Sequence, residues 1–253
     1  MAKVDKSLNP TIIPAMPSDN AVPWKIRDLF FALGAMLAGI LLLNGGILLL
    51  NQIAGGNLRE NRDALTLTLI PQQLIIFGAA YYFSITRYRA TFAQLGVRAF
   101  NAPRGCGLSA ALLLASYAFR FCYVAAALAL GVRLGAQEIV SALSISGVGL
   151  CLTFIVAGVA APIAEEIFFR GFFYGGLRSA FGIAPALLAS AVVFTALHFT
   201  LELFLPIFVL GIFLAWLYEK TGSLIPGILL HSANNSIAVI ALVLAQALGI
   251  PSG

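Results

Sequence analysis

Ionisable side chains inside the long apolar stretches of this chain are few: Arg120, Glu165, Glu166, Arg170, His198 and His231, joined by the amide of Asn235. An ionisable group within a membrane span is costly unless it is paired or faces a wet cavity, so these positions are where chemistry is to be sought. They include the only two histidines of the 253 residues.

Spacing divides their roles. In Ala161-Pro-Ile-Ala-Glu-Glu-Ile-Phe-Phe-Arg170, Glu166 and Arg170 stand four apart on one helix face and neutralise each other. Glu165 points about 100° away. Phe168, Phe169 and Phe172 share its face, and their desolvation of the carboxylate makes it a stronger base. Pro162 removes the intrahelical donor for the Gly158 carbonyl, the mark of a kink or a water-accessible break. The plainer alternative is a solvated Glu-Glu-Arg cluster at a helix end.

Phe181, Gly182 and Pro185 predict a tight connection to the next helix. A hairpin turning there sets Glu165 and His198 at similar depth, each about 20 Å from the turn, so that carboxylate and imidazole can share one water. Taken singly, His198 reads as a helix-end histidine bonded to a carbonyl or to Glu202. His231 and Asn235 share a face with Gly227, which admits a close neighbour. An imidazole N–H and an amide NH2 side by side can form an oxyanion hole for a tetrahedral acyl intermediate. Interhelical hydrogen bonding is the alternative use of such a pair.

The elements that position these groups follow from composition. The chain is 60% hydrophobic and only 10% charged, with a mean hydropathy of +0.97, which excludes an ordinary soluble domain. Apolar runs predict an all-α polytopic bundle of about seven transmembrane helices (six to eight), forming a single integral membrane domain over 1–253. The expected spans are Leu29 to Leu50, Ala64 to Ile85, Leu108 to Val132, Gly147 to about Phe169, Ala184 to Phe199, Leu203 to Tyr218 and Leu224 to Leu248, the last long enough to break in two. Residues 1–28 read as a polar cytoplasmic leader.

A cytoplasmic N-terminus places Lys3, Lys6, Lys25, Arg27, Arg87, Arg89, Arg98, Arg104, Arg170, Arg178 and Lys220 inside and Arg59, Arg62 and Arg133 outside, as the positive-inside rule requires. The net charge of +5 therefore reads as topology; no basic face suggests nucleic acid as a partner. Cys106, Cys122 and Cys151 lack disulfide or zinc spacing and read as small apolar residues.

These residues bring the chain to a known family. It resembles the CAAX protease and bacteriocin-processing intramembrane proteases, which include the type II CAAX prenyl endopeptidases. Three motifs carry the resemblance in order: EExxxR as Glu165-Glu166-Ile-Phe-Phe-Arg170, FxxxH as Phe194-Thr-Ala-Leu-His198, and HxxxN as His231-Ser-Ala-Asn-Asn235. The motif-bearing core spans 147–239. Outside it the likeness is limited to a stretch around Leu95-Gly96-Val97-Arg98.

The resemblance implies that Glu165 and His198 activate water against a peptide carbonyl while His231 and Asn235 stabilise the oxyanion. Glu166 and Arg170 are then structural, or Arg170 attracts a substrate carboxylate. The implied partners are the bilayer and a membrane-associated peptide or protein, prenylated or not, in a bacterial inner membrane. No cofactor is favoured. If zinc is present, its ligands are Glu165, His198 and His231, but the HExxH motif is absent and Asn is a poor zinc ligand. Intramembrane Glu, His and Arg also suit a transporter or proton relay, although no repeat of the expected kind is visible. A non-catalytic membrane scaffold or immunity protein is a third class. Arg120 reads as an internal ion pair, a snorkelling side chain or a contact for a peptide C-terminus.

Overall fold

The computed structural model describes residues 22–57, 61–132 and 147–249. Within them the chain is all helical: α1 (Ile26–Ile53), α2 (Arg62–Thr86), α3 (Ala102–Ala129), α4 (Gly147–Phe181), α5 (Ile183–Ala196), α6 (Phe204–Thr221) and α7 (Ile225–Ala247). Six of these are long and apolar enough to cross a membrane, and the chain is an integral membrane protein. Lys3, Lys6, Arg59, Arg133 and most of the expected leader lie outside the described residues.

Two expectations need correction. The fourth span does not end near Phe169 but runs unbroken to Phe181. Its 35 residues are drawn out by wide turns at Phe154–Ala160 and Ile167–Tyr174, where the backbone takes the i→i+5 pattern. The last span does not break in two; α7 is continuous from Ile225 to Ala247.

The fifth helix is short, as its sequence suggests. Its 14 residues rise about 21 Å, less than the roughly 30 Å of bilayer hydrocarbon. It leaves α4 at Gly182, whose φ of +82° suits a residue without a side chain. It packs along α6, and the two form a hairpin whose turn, residues 197–203, carries His198. Irregular backbone at bilayer depth is tolerated where protein buries it or water reaches it.

The core lies where α4 meets its neighbours. Phe168, Phe172, Tyr174 and Phe194 are fully buried there, whereas α1 and α3 turn most of their surface outward, with Leu41, Leu42, Leu114 and Phe121 exposed. The ends of the helices near Lys25, Arg87, Arg98, Arg178 and Lys220 are stitched together by polar contacts. Arg178 forms a two-pronged pair with Glu219 at 2.8 and 2.9 Å. Trp24 Nε1 donates to the Phe172 carbonyl at 3.0 Å. Buried Asp28 accepts from the Tyr88 hydroxyl and the Lys25 amide, with Arg87 beside it.

The Leu95–Arg98 stretch is part of this stitching. Leu224 N donates to the Gly96 carbonyl at 2.9 Å, Ser223 Oγ to the Arg98 carbonyl at 2.6 Å, and Arg98 Nε to the Gly222 carbonyl. The loop thereby fixes the start of α7, and hence the height of His231 and Asn235. Close approach makes this possible: a Cβ on Gly171 would stand 2.5 Å from the Leu95 carbonyl oxygen. Gly171→Ala is therefore expected to destabilise the protein by about 1–3 kcal/mol, whereas Gly34→Ala, where a Cβ meets nothing within 4 Å, stays within about 0.5 kcal/mol. Thermal unfolding in detergent checks both, and equal midpoints would refute the assignment.

Candidate active site

Glu166 is the hub of the polar cluster. Its Oε1 accepts from Arg170 Nη1 at 2.9 Å and from His231 Nδ1 at 3.0 Å. All three side chains are almost completely removed from solvent. Arg170 also donates through Nη2 to the Gly211 carbonyl of α6 at 3.3 Å, and its guanidinium lies 4.1 Å from the centre of the Phe194 ring. Three helices are thus tied to one carboxylate.

The face division expected within α4 holds at the level of contacts. Glu165 does not join the ion pair; its Oε2 stands 3.9 Å from His231 Nε2 and accepts no hydrogen bond from the described residues. The three phenylalanines expected to desolvate it have other principal partners. Phe172 packs on Trp24, Phe168 on Phe173, and Phe169 edge-on against Phe194 at 5.2 Å.

Phe194 organises the two histidines. The rings of His198 and His231 meet it edge-on, with centroids 4.6 and 5.8 Å away. Glu165 and His231 lie near enough for their charges to act on His198. The first residue of the FxxxH pattern is therefore a shared platform, a role that spacing alone does not disclose.

Hydrogen bonds set the tautomers. His198 Nδ1 lies 2.7 Å from the Phe194 carbonyl, which only accepts, so Nδ1 carries the proton and neutral His198 presents a lone pair at Nε2. His231 likewise commits its Nδ1 proton to Glu166. It can donate from Nε2 only as the imidazolium.

Asn235 reaches across to α4, donating Nδ2 to the Ala157 carbonyl at 2.9 Å. This corrects the expectation for Pro162. In the wide turn Ala161 N–H bonds to Val156, an i→i+5 contact, so the carbonyl that faces the missing proline N–H is that of Ala157 and not Gly158. Asn235 fills that vacancy with one amide hydrogen and keeps the other. Oδ1 accepts from Asn234 at 3.2 Å.

Among the described residues no three of His, Cys, Asp and Glu come together as metal ligands. Glu165, His198 and His231 do not form a ready zinc set, because His231 Nε2 and Glu165 Oε2 face each other while His198 is held by its own helix.

Arg120 stands apart from this cluster. Its guanidinium lies over the Tyr117 ring, 5.8 Å from the centroid, and it forms no ion pair among the described residues.

Comparison with known proteins bears on the segment that holds these groups. Residues 147–237 match the family "Type II CAAX prenyl endopeptidase Rce1-like". The resemblance read from the three motifs is borne out over this Rce1-like segment. The chain is 30% identical over 87 residues to the UPF0177 protein YxdF of Lactococcus lactis subsp. lactis (strain IL1403), covering 34% of this chain and 47% of that protein. It is 34% identical over 89 residues to the "Putative membrane peptidase YdiL" of Bacillus subtilis (strain 168), covering 35% of this chain and 36% of the relative. The chain thus spans less than half the length of these relatives. No solved structure matches.

The two adjacent glutamates have unequal structural weight. Glu166→Gln leaves the buried Arg170 guanidinium without its counter-charge and is expected to lower stability by about 3 kcal/mol or more. Glu165→Gln removes no hydrogen bond and is expected to change it by less than about 1 kcal/mol. Denaturation of the two variants side by side decides this, and an equal loss would overturn the assignment of Glu166 as the hub.

Proposed function

We propose that the protein is an intramembrane endopeptidase that hydrolyses a peptide bond in a membrane-associated peptide or protein, without a bound metal. The observation that carries this reading is the convergence of Glu165, His198 and His231, from three segments of chain, around Phe194. The Rce1-like match over the same residues supports it.

In this mechanism Glu165 and His198 Nε2 hold the attacking water, whose proton passes to the Glu165 carboxylate as its oxygen bonds to the peptide carbonyl carbon. Negative charge develops on the carbonyl oxygen. The His231 imidazolium and the remaining Asn235 N–H stabilise it. The C–N bond then breaks, and the proton held by Glu165 goes to the leaving amine. Glu166 acts at one remove, orienting His231 through Nδ1, while Arg170, fully buried and engaged with Glu166 and Gly211, has the structural role of the two it was offered. No step is routed through zinc.

Residues 147–239 are the catalytic core of a single membrane domain on this reading. The helix ends that carry Lys25, Arg87, Arg98 and Lys220 face the cytoplasm of a bacterium, with the bilayer its inner membrane.

Purified protein in liposomes, offered prenylated and unprenylated reporter peptides, tests the proposal. Glu165→Gln is expected to lower turnover by about 10²–10⁴-fold, and Asn235→Ala by about 10²–10³-fold. A strong zinc chelator is expected to change nothing. A loss restored by added zinc would defeat the metal-independent mechanism, and unchanged turnover in Glu165→Gln would defeat the whole assignment.

A further inference from the structure

Arg120 is a charged group within a span whose counter-charge the protein does not supply. The arginines of the stitched end have polar partners: Arg87 lies beside Asp28, Arg98 donates to Gly222, and Arg178 pairs with Glu219. Arg170 is neutralised by Glu166. Arg120 has only the face of Tyr117.

Its direction argues against simple snorkelling. Arg120 lies nearer the Ala129 end of α3, yet its guanidinium folds back over the preceding turn, toward the interior. Its neighbours tie this part of α3 to the proposed site. The Tyr117 hydroxyl donates to the Asn234 carbonyl at 3.2 Å, next to Asn235 on α7. One turn beyond, the Tyr123 hydroxyl donates to the Glu202 carbonyl at 2.6 Å, in the turn that begins with His198. Arg120 stands between these tethers, half-buried, and Glu202 does not pair with it.

We propose that Arg120 is a specificity-determining residue that receives a carboxylate of the substrate, the free C-terminal carboxylate of a peptide lying between α3 and the 197–203 turn. A guanidinium presents a planar fork of donors matched to a carboxylate, and the pair strengthens as water is excluded. This inference rests on the endopeptidase reading. An anionic lipid phosphate offers related chemistry from another source.

The test uses one fluorescent hydrophobic peptide in two forms, with a free and an amidated C-terminus. Binding is measured in phosphatidylcholine vesicles to Glu165→Gln and to Glu165→Gln combined with Arg120→Leu or Arg120→Lys, and cleavage is measured in the Glu165 background. The free acid is expected to bind at least about tenfold more tightly than the amide. Arg120→Leu is expected to bring the ratio near one, and Arg120→Lys to keep part of it. An equal preference with and without Arg120, or none in the arginine protein, would overturn the proposal. If phosphatidylglycerol alters thermal stability only when Arg120 is present, and acid and amide bind alike, the arginine serves lipid and the proposal fails. Because the binding ratio does not require turnover, absence of cleavage by every form counts against the endopeptidase reading and leaves Arg120 separately tested. Should Arg120→Leu fail to fold, the acid-to-amide ratio in the arginine protein and in Arg120→Lys still decides.

Discussion

A single carboxylate oxygen, Oε1 of Glu166, receives protons from both Arg170 and His231 at hydrogen-bond distance, and the arrangement of the membrane core depends on it. A buried ion pair is a poor source of net stability, because two charges must leave water to form it. Its value is geometric. Only one relative height of α4 and α7 satisfies Glu166, and only one position of α6 brings the Gly211 carbonyl to Arg170. The apolar packing around it, where helices slide past lipid-like side chains with little preference, has no comparable means of choosing a register.

The bilayer imposes the second constraint. Six helices can cross it, whereas α5 is too short and hands over to an irregular turn before reaching the far side. That turn exposes Phe199 and Leu201, and Phe199 adopts a φ of +50°, uncommon for a bulky residue. A hydrolytic reaction inside lipid needs a place where backbone polarity and water coexist. The end of a truncated helix is such a place, and His198 sits at it.

The helical bundle was legible in the sequence because apolar runs of membrane-spanning length have few alternatives. The separation of Glu165 from the Glu166–Arg170 pair was legible too, since it follows from helical spacing. Spacing could not show where the aromatic rings go. Phe168 and Phe172 serve the packing near Trp24, and Phe194 supplies the surface on which both histidines rest. Nor could it show the wide turns of α4, because an i→i+5 pattern has no distinct residue preference and is imposed by tertiary contacts. The Leu95–Arg98 stretch stood out only as a likeness. Its function in the fold, a clamp on the first turn of α7, depends on contacts more than a hundred residues apart.

The wide turns give α4 a property that ordinary transmembrane helices lack. Each contains more residues than an α-helical turn of the same height, so α4 stores surplus residues at Phe154–Ala160 and Ile167–Tyr174, on either side of Glu165 and Glu166. Losing one residue from the first would let it relax to α geometry with little change in length, yet would rotate everything before it by about a quarter turn relative to the two glutamates. The carbonyl that faces Asn235 would change with it. Insertions and deletions are therefore tolerable in the connections between helices and intolerable within this one, so in this part of the chain length itself is a catalytic specification.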